Sequence, residues 1–589
     1  MNDILLKFKN IISLLENKQK RSLIYIFIIY LISIILDVLG IGLIIPILTL
    51  ITSGEINQNF LNYIPIEINN FKNEKLILIV LIFFFVFYIF KSAFGTFALW
   101  YHRRFIYKMQ ENIGVRLLKK YILEDYETFV QRNYSDVVRN IAVEAGVFVT
   151  GVIHGMVAIS TELMIVLGIS LLLILIDPIS SSIIIAIISL LVFSYLFIFK
   201  KKLRNLGKRR QELEGSIFDQ LNKSFQLFKE IKIFLKHEFM VKNFKKTVEE
   251  KNKIALFEDL LNGLPKIYFE LLFVFLVTGV LIFLIFNGKD INFIIPLLGL
   301  YTAAFFRIFP SFNRLISNIN GVIHNYVAFE LIEEDLNILK IDQKSSKNIQ
   351  NFSKLEKFIS NVQKPNKLEL ENISFSYNNE DTKQIILDNI SLKLNSNEIT
   401  GLVGESGSGK STIANIISGF VKANKGHYKI NENENYNKNL LKNFVGYLPQ
   451  TTNLINDTLI NNICFFKENS KYYDKEKINY LVQTLDLSEL INNLPNGLNT
   501  NIKEQGQILS GGQRQKIALA RALYVETPIL IFDESTSSID DISELKLIEV
   551  IKKIKKDRII LFITHNKNLI KHFDKTYLID DKKVNIYKN

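Results

Sequence analysis

The sequence predicts an all-α domain of about six membrane-spanning helices, followed by an α/β domain. Long apolar runs fill the first ~320 residues, and each is long enough to cross the ~30 Å hydrocarbon core of a bilayer. The last ~220 residues instead alternate short apolar runs that favour strands with runs that favour helices. The two parts of the chain therefore belong to different fold classes.

The composition agrees with this division. Of the 589 residues, 48% are hydrophobic and 45 are Phe, and this excess is concentrated in the N-terminal part. The formal net charge is +13, but Lys and Arg cluster beside the apolar runs, as cytosolic loops and anionic lipid surfaces require. We therefore expect a lipid bilayer, and not a nucleic acid, as the partner of this charge. The only cysteine, Cys464, excludes an intrachain disulfide.

The predicted transmembrane domain covers residues 1–335. Its six apolar runs have the length of membrane helices, and Asp177-Pro178 and Asn287-Gly288 mark the turns of two hairpins. The predicted helices span about 22–51, 76–101, 145–176, 179–199, 264–286 and 293–320.

The loops between these runs differ in charge, which predicts their orientation. The loops at 53–75, 177–178 and 287–292 are short and poor in Lys and Arg, whereas those at 102–143 and 200–260 are long and basic. By the positive-inside rule the long loops and both termini are expected in the cytoplasm.

A polar linker is predicted over 336–366, because this stretch is rich in Ser, Asn and Lys and contains Pro365. The α/β domain is predicted over 367–589.

A glycine-rich segment in this domain fits the full phosphate-binding P-loop pattern, between an apolar strand and a helix. The glycines let backbone N–H groups turn towards phosphates, and the helix N-terminus adds partial positive charge. Lys410 is expected to meet the β- and γ-phosphates of ATP, and the Ser411 hydroxyl to hold Mg²⁺. The expected nucleotide-binding residues here are Gly404, Glu405, Ser406, Gly407, Ser408, Gly409, Lys410, Ser411 and Thr412.

Two carboxylates follow the apolar run 528–532. Asp533 is placed for a Mg²⁺-binding role, and Glu534 is placed to orient and deprotonate an attacking water. An apolar strand that ends in Asp-Glu is mostly structural when it stands alone, but here it follows a P-loop at the distance that a nucleotide hydrolase needs.

The segment Leu509-Ser510-Gly511-Gly512-Gln513 lies between these two motifs and opens a predicted helix. With it, the chain resembles ATP-binding-cassette proteins over essentially its whole length. The six helices with long inner loops resemble the exporter type of that family. The resemblance implies an all-α six-helix transmembrane domain fused to an α/β P-loop nucleotide-binding cassette.

In that family two cassettes pair head to tail, and each ATP lies between one P-loop and the partner's pentapeptide, here Ser510, Gly511, Gly512 and Gln513. The resemblance further implies that Tyr377 stacks on adenine, that Gln450 contacts Mg²⁺ and water, and that His565 contacts the γ-phosphate. Segments 126–129 and 228–232 resemble the coupling helices that join the membrane domain to the cassette. Because all these positions are intact, a homodimer with two competent sites is expected.

Cations within the apolar runs indicate the charge of the substrate that the membrane domain could accept. Lys91 and Arg307 lie in the inner half of the bilayer, while Lys266 and Arg314 lie nearer its cytosolic end. They are candidates for a cationic cavity, with part of their charge offset by Asp37, Glu162 and Glu270. Snorkelling to the headgroups also accounts for the last two.

Segments 265–270 and 307–314 resemble bacterial flippases for lipid-linked oligosaccharides. This resemblance implies ATP-driven export or flipping of an anionic, polyprenyl-pyrophosphate-linked oligosaccharide across the bacterial inner membrane. A multidrug or lipid exporter, or a peptide exporter, has the same architecture and stays open. A gated channel on this scaffold is disfavoured by the intact catalytic positions, and the apolar runs exclude a soluble ATPase.

Overall fold

The computed structural model describes most of the chain. The described residues are 10–43, 73–176, 178–286, 291–346, 365–379, 382–431, 444–465, 473–503, 506, 508–525, 527–534 and 541–587. Most of the predicted outer loops and of the linker lie outside these ranges. The chain forms two compact units, one of Met1–Glu124 with Phe129–Lys347, the other of Asp125–Thr128 with Asn348–Asn589.

The first unit is helical throughout its described residues. In chain order its helices are α1 (Asn17–Gly42), α2 (Asn73–Leu123), α3 (Tyr126–Val130), α4 (Tyr134–Arg139), α5 (His154–Ile176), α6 (Pro178–Gln226), α7 (Phe228–Ile233), α8 (His237–Phe286) and α9 (Ile291–Ser346). The first residues of α3, Tyr126–Thr128, group with the second unit together with Asp125.

Several of these helices are much longer than a bilayer is thick. α2 has 51 residues and α9 has 56, so at 1.5 Å per residue each is roughly 75–85 Å long. Each begins in an apolar run and continues into charged sequence. The predicted inner loops are therefore mainly continuations of the membrane helices.

The surface of the first unit is strongly apolar. Leu175, Phe197 and Phe286 expose 78%, 81% and 87% of their surface, as side chains that face lipid do. Three segments of the described residues are long and apolar enough to cross a membrane, Asn17–Gly40, Leu81–Leu123 and Tyr134–Leu175. The other three predicted runs lie in α6, α8 and α9, where some side chains fall outside the described residues.

The backbone between α4 and α5 departs from a regular α-helix. Asn140–Glu144 and Phe148–Ile153 are π-helical turns joined by the short α-helical turn Ala145–Val147. The wider turns place Asn140 and Glu144 inside the unit, where both are buried. Glu144 pairs with Arg210 at 3.1 Å, so the irregular backbone serves a buried polar contact.

A buried ion cluster joins α2 to the end of α9. Lys120 and Asp335 are 2% and 5% exposed, and Lys120 Nζ lies 2.9 Å from Asp335 Oδ1. The same carboxylate accepts hydrogen bonds from the Tyr121 hydroxyl, from Asn140 Nδ2 at 3.2 Å and from Arg132 Nη1 at 3.3 Å. A buried carboxylate with this many donors is electrostatically satisfied.

The end of α9 differs from the predicted domain boundary. The helix runs through to Ser346, past the predicted end of the transmembrane domain at residue 335. Asp335 and Leu336, at the predicted boundary, are both buried, so the helix does not end where the linker was predicted to begin. The following residues, 347–364, lie outside the described part of the chain.

The second unit is an α/β domain. Its strands are β1 (Lys367–Asn379), β2 (Thr382–Asn395), β3 (Glu398–Gly404), β4 (Lys425–Ile430), β5 (Val445–Leu448), β6 (Ile529–Asp533), β7 (Ile559–Thr564), β8 (Lys575–Asp580) and β9 (Lys583–Ile586). Its helices are α10 (Lys410–Ile417), α11 (Leu459–Cys464), α12 (Lys475–Thr484), α13 (Ser488–Asn493), α14 (Gly511–Tyr524) and α15 (Asp541–Ile554).

Two sheets organise these strands. One is antiparallel in the order β2-β1-β4, and the other has the order β5-β6-β7-β3-β8-β9. The second sheet is parallel except for β9. Alternate residues of β6 enter different cores, Leu530 and Phe532 on one face, Ile529 and Ile531 on the other. A parallel sheet buried on both faces brings the carboxyl ends of its strands to one edge, where ligand sites form.

Candidate nucleotide-binding site

The loop after β3 has the backbone that phosphate binding requires. β3 is buried along its centre and ends at Gly404, and α10 begins at Lys410. Gly407 and Gly409 have φ of +81° and +101°, in the left-handed region that glycine adopts without strain. A Cβ on Gly409 would lie 2.8 Å from a Leu387 methyl carbon. This glycine backbone, followed directly by a helix N-terminus, is the conformation in which N–H groups can turn towards a phosphate.

Lys410 is held inside this loop. It is 4% exposed, and its Nζ donates to the carbonyl oxygens of Gly404 at 3.1 Å and Glu405 at 2.8 Å. Ser408 Oγ is buried without a hydrogen-bond partner in the described residues. A buried cation and an unsatisfied hydroxyl on the same loop fit a phosphate ligand, because a phosphate oxygen would accept from the hydroxyl and its charge would attract the cation. Glu405 and Ser406 are exposed on the same loop, and Thr412 is buried in α10.

Asp533 ends β6 beside the loop. Its Oδ1 accepts from Ser411 Oγ at 3.1 Å, and its Oδ2 accepts from the Tyr447 hydroxyl at 2.7 Å. Burial raises the pKa of the Asp533 carboxyl, while these two hydrogen bonds oppose the increase. Burial also raises the pKa of the Tyr447 phenol, which therefore stays protonated and donates. Ser411 and Asp533 lie together as a Mg²⁺ site requires.

Glu534 follows with φ of +45°, an uncommon conformation for a residue with a side chain and one that recurs at functional sites. Its Oε2 accepts from Gln450 Nε2 at 3.0 Å, and its Oε1 lies 3.4 Å from Lys410 Nζ. The structure thus brings Lys410, Ser411, Gln450, Asp533 and Glu534 to one edge of the sheet.

His565 follows β7, which lies between β3 and β6. It is exposed at the same sheet edge, and no hydrogen bond joins it to either carboxylate in the described part of the site. Tyr377 lies in β1 opposite Gln384, and its side chain is outside the described residues. The adenine-stacking role of Tyr377 stays a prediction.

The Ser510 segment forms a helix start of its own. Ser510 is the N-cap of α14: its side chain accepts from Gln513 N, and the Gln513 side chain accepts from Ser510 N, which makes a capping box. Ser510 is exposed, and Gly511 and Gly512 form the first turn. Within the described residues of one chain, no contact joins this segment to the P-loop.

Two family models match the sequence around these features. Residues 387–537 match the model described as ABC transporter, and residues 23–293 match the model described as ABC transporter transmembrane region. The chain belongs to the ABC transporter family. It fuses a transmembrane region to an ATP-binding region, which confirms the predicted fold class.

Curated relatives of this ABC transporter match over about a third of its length. A putative export ATP-binding/permease protein of Rickettsia typhi is 40% identical over 219 residues, 37% of each chain. The ATP-dependent lipid A-core flippase of Salmonella typhimurium is 38% identical over 216 residues, 36% of each chain. That of Wigglesworthia glossinidia brevipalpis is 40% identical over 228 residues, 38% of each chain. The matched stretch thus spans less than half of each relative.

A solved structure supports the same fold. A bacterial Atm1-family ABC exporter with ATP bound aligns with a TM-score of 0.75, over 97% of this chain and 95% of that one. The two sequences are 16% identical, so the likeness concerns the fold alone.

In the membrane unit of the transporter, the predicted cavity cations are largely paired. Lys91 Nζ lies 3.0 Å from Asp37 Oδ1, and Arg307 Nη2 donates to Asp37 Oδ2. Asp37 is buried, and Arg307 has a half-buried side chain. The three side chains, which we call the Asp37 triad, carry a net charge of +1.

The other two candidates differ from each other. Arg314 Nε lies 2.5 Å from Glu162 Oε1, and Arg314 Nη2 donates to Ser311 Oγ at 3.2 Å. Lys266 is exposed, and no ion pair of it occurs among the described residues. Asp37 and Glu162, which lie on other helices, therefore offset part of the charge through direct ion pairs with three of the four cations.

The first predicted coupling segment groups with the ATP-binding unit of the transporter. Within that unit, which includes Asp125–Thr128, Glu127 Oε1 accepts from Lys422 N at 3.0 Å. The Tyr126 ring lies 5.4 Å from the Phe420 ring. We call Asp125–Thr128 the docking segment. The second predicted segment, α7, has no buried residue.

The sequence reasoning missed Tyr447. Its hydroxyl is one of two donors to Asp533, but it lies 86 residues away in the chain. The available signal was its position on the strand that leads to Gln450. A tyrosine at that position is equally typical of an ordinary strand, so only the structure shows its contact with Asp533.

Proposed function

We propose that this ABC transporter hydrolyses ATP to drive the export or flipping of an amphipathic substrate across the bacterial inner membrane. The convergence of Lys410, Ser411, Asp533 and Glu534 on one P-loop carries this proposal. The apolar helices of the other unit support a membrane location. Both termini are proposed to lie in the cytoplasm, from the basic inner loops.

The chemistry follows from the positions of the side chains. Lys410 and the inward N–H groups hold the phosphates of ATP, and Gln450 and Glu534 orient the attacking water. Glu534 accepts a proton from that water, and His565 contacts the γ-phosphate. Mg²⁺, when bound, would be held by Ser411, Gln450 and Asp533 and would neutralise phosphate charge.

A homodimer is the proposed assembly. The Ser510 segment presents an exposed helix N-terminus that touches no P-loop within the described residues of its own chain. Such a terminus is suited to an anion, and a second copy would supply it to the γ-phosphate. Because each chain carries its own Glu534 and Ser510, both sites of a homodimer would be competent.

Replacing Ser510 with Ala tests this assembly. The change removes one donor to the γ-phosphate, and we expect ATP turnover to fall about 10²-fold. It also removes a helix cap worth about 1 kcal/mol. Phosphate release from the purified dimer is the measurement.

Asp474→Ala is the matched control, because Asp474 caps α12 of the same unit by accepting from Lys477 N. It loses a comparable cap but should keep turnover. Equal loss in both variants would mean that Ser510 acts only as a cap.

The proposed substrate is a polyprenyl-pyrophosphate-linked oligosaccharide. The Asp37 triad supports it, because two cations share one carboxylate inside the membrane region. A diphosphate that displaced Asp37 would gain charge-assisted hydrogen bonds from Lys91 and Arg307. A lipid A-type substrate is the second candidate, favoured by the names of the flippase relatives.

Two variants of the triad are expected to change substrate response in opposite directions. The triple variant Asp37→Asn, Lys91→Gln, Arg307→Gln removes both donors without leaving a buried charge unpaired. We expect its half-saturating substrate concentration to rise at least about tenfold. Asp37→Asn alone frees both cations, so this concentration should fall. ATPase stimulation and leaflet transfer in liposomes are the measurements.

The control exchanges an exposed pair, Arg204→Gln with Glu330→Gln, whose atoms lie 2.6 Å apart. Liposomes that carry lipid-linked sugars, lipid A-type lipids, drugs or peptides separate the candidate substrates. Unchanged transfer by the triple variant would contradict a role for the triad in substrate binding.

A further inference from the structure

Tyr447 holds the carboxylate that would bind the metal. Its hydroxyl donates to Asp533 Oδ2 at 2.7 Å, while Ser411 Oγ donates to Oδ1 at 3.1 Å. Both oxygens of Asp533 therefore have a fixed donor, one on the P-loop helix and one on β5. A donor to one carboxylate oxygen favours the charged form and fixes the orientation of the group.

The same tyrosine lies at the end of a row of rings. Its ring centroid is 6.5 Å from that of Phe420, at an interplanar angle of 76°. Phe420 lies 5.4 Å from Tyr126 of the docking segment. Phe420 N also donates to Asn415 O at the end of the P-loop helix. Two ring contacts thus separate the docking segment from the residue that holds Asp533.

We propose that Tyr447 is a positioning residue that orders Asp533 for Mg²⁺ and links that order to the docking segment through Phe420. The inference rests on the proposed function, since it assigns a residue to the same nucleotide site. The hydroxyl and the ring of Tyr447 have separate roles. The hydroxyl orients the metal ligand Asp533, and the ring transmits displacement of the docking segment to it.

Tyr447→Phe removes the hydroxyl and keeps the ring. Partners that orient metal ligands are typically worth 10- to 100-fold in metal affinity, so we expect Mn²⁺ to bind at least about tenfold more weakly. Electron paramagnetic resonance of free Mn²⁺, titrated into the purified transporter with ATP, measures this affinity without turnover. At saturating Mg²⁺, substrate-stimulated ATPase should return towards the wild-type value.

Phe420→Leu breaks the row of rings and leaves the hydroxyl in place. Its Mn²⁺ affinity should stay near wild type, while stimulation of ATPase by substrate should fall severalfold. Tyr577→Phe is the matched control, because it removes a tyrosine hydroxyl that bonds only the backbone of Lys393 in the described structure.

Wild-type Mn²⁺ affinity in Tyr447→Phe would overturn the positioning role. Wild-type stimulation in Phe420→Leu would overturn the link to the docking segment. If the transporter hydrolysed no ATP under any condition, the proposed function would fail, yet Mn²⁺ binding would still decide whether Tyr447 orders Asp533.

Discussion

Replacing Glu534 with Gln is expected to reduce ATP turnover by about 10²–10⁴-fold, because an amide cannot accept the proton of the attacking water. The amide keeps the size of the carboxylate, so the contact with Gln450, now 3.0 Å long, can persist. ATP should therefore still bind and, in the proposed dimer, remain trapped between the two copies. Phosphate release and retention of labelled ATP on the purified transporter measure the two effects.

Glu549→Gln is a suitable control, since Glu549 is an exposed carboxylate of the same unit on α15. It should leave both turnover and retention unchanged. Wild-type turnover in the Glu534→Gln variant would show that another group accepts the proton, and rapid loss of ATP would argue against a closed dimer.

Asp335→Ala is expected to destabilise the transmembrane unit by about 3–5 kcal/mol, because it leaves a buried cation without its main partner. Lys120 has a side chain only 2% exposed, and Glu124, at 3.6 Å, is the remaining carboxylate near it. Tyr121 and Asn140 would also lose an acceptor. Unfolding of the purified transporter in detergent, followed by heat or denaturant, measures the loss.

Glu330→Ala provides the comparison on the same helix. It breaks the pair with Arg204, in which both side chains are more than a third exposed, and exposed pairs are worth about 0–1 kcal/mol. Replacing Lys120 and Asp335 together by Met and Leu should recover much of the stability. If Asp335→Ala and Glu330→Ala lowered the free energy of unfolding equally, the burial of the Asp335 pair would not explain its effect.

Most of the nucleotide site could be predicted because its residues lie at fixed distances from strand and helix ends. Lys410 and Ser411 open the helix after β3, Asp533 ends β6, and Glu534 follows it directly. Phosphate binding requires glycines at particular backbone positions, so a short stretch of sequence is enough to predict the loop. The length and polarity of the apolar runs likewise predicted the helical membrane unit.

The predictions were less complete where partners lie far apart in the chain. The extension of α9 past residue 335 was missed, because a polar stretch with no apolar pattern reads as a linker. The cations of the membrane unit and the acids that offset them were found, but not which acid pairs with which cation: Arg307 and Asp37 are 270 residues apart. No local pattern indicates which face of one helix meets which face of another.

By itself, the sequence determined the fold class and predicted the side chains that lie around the P-loop, since both signals come from short, continuous stretches of the chain. Only the tertiary structure decided that Asp37 shares two cations, that Asp335 is buried against Lys120, and that Tyr447 holds Asp533. Each of these contacts forms between elements that the packing of helices and strands brings together. Their strength depends on burial, which a residue acquires only when the chain has folded.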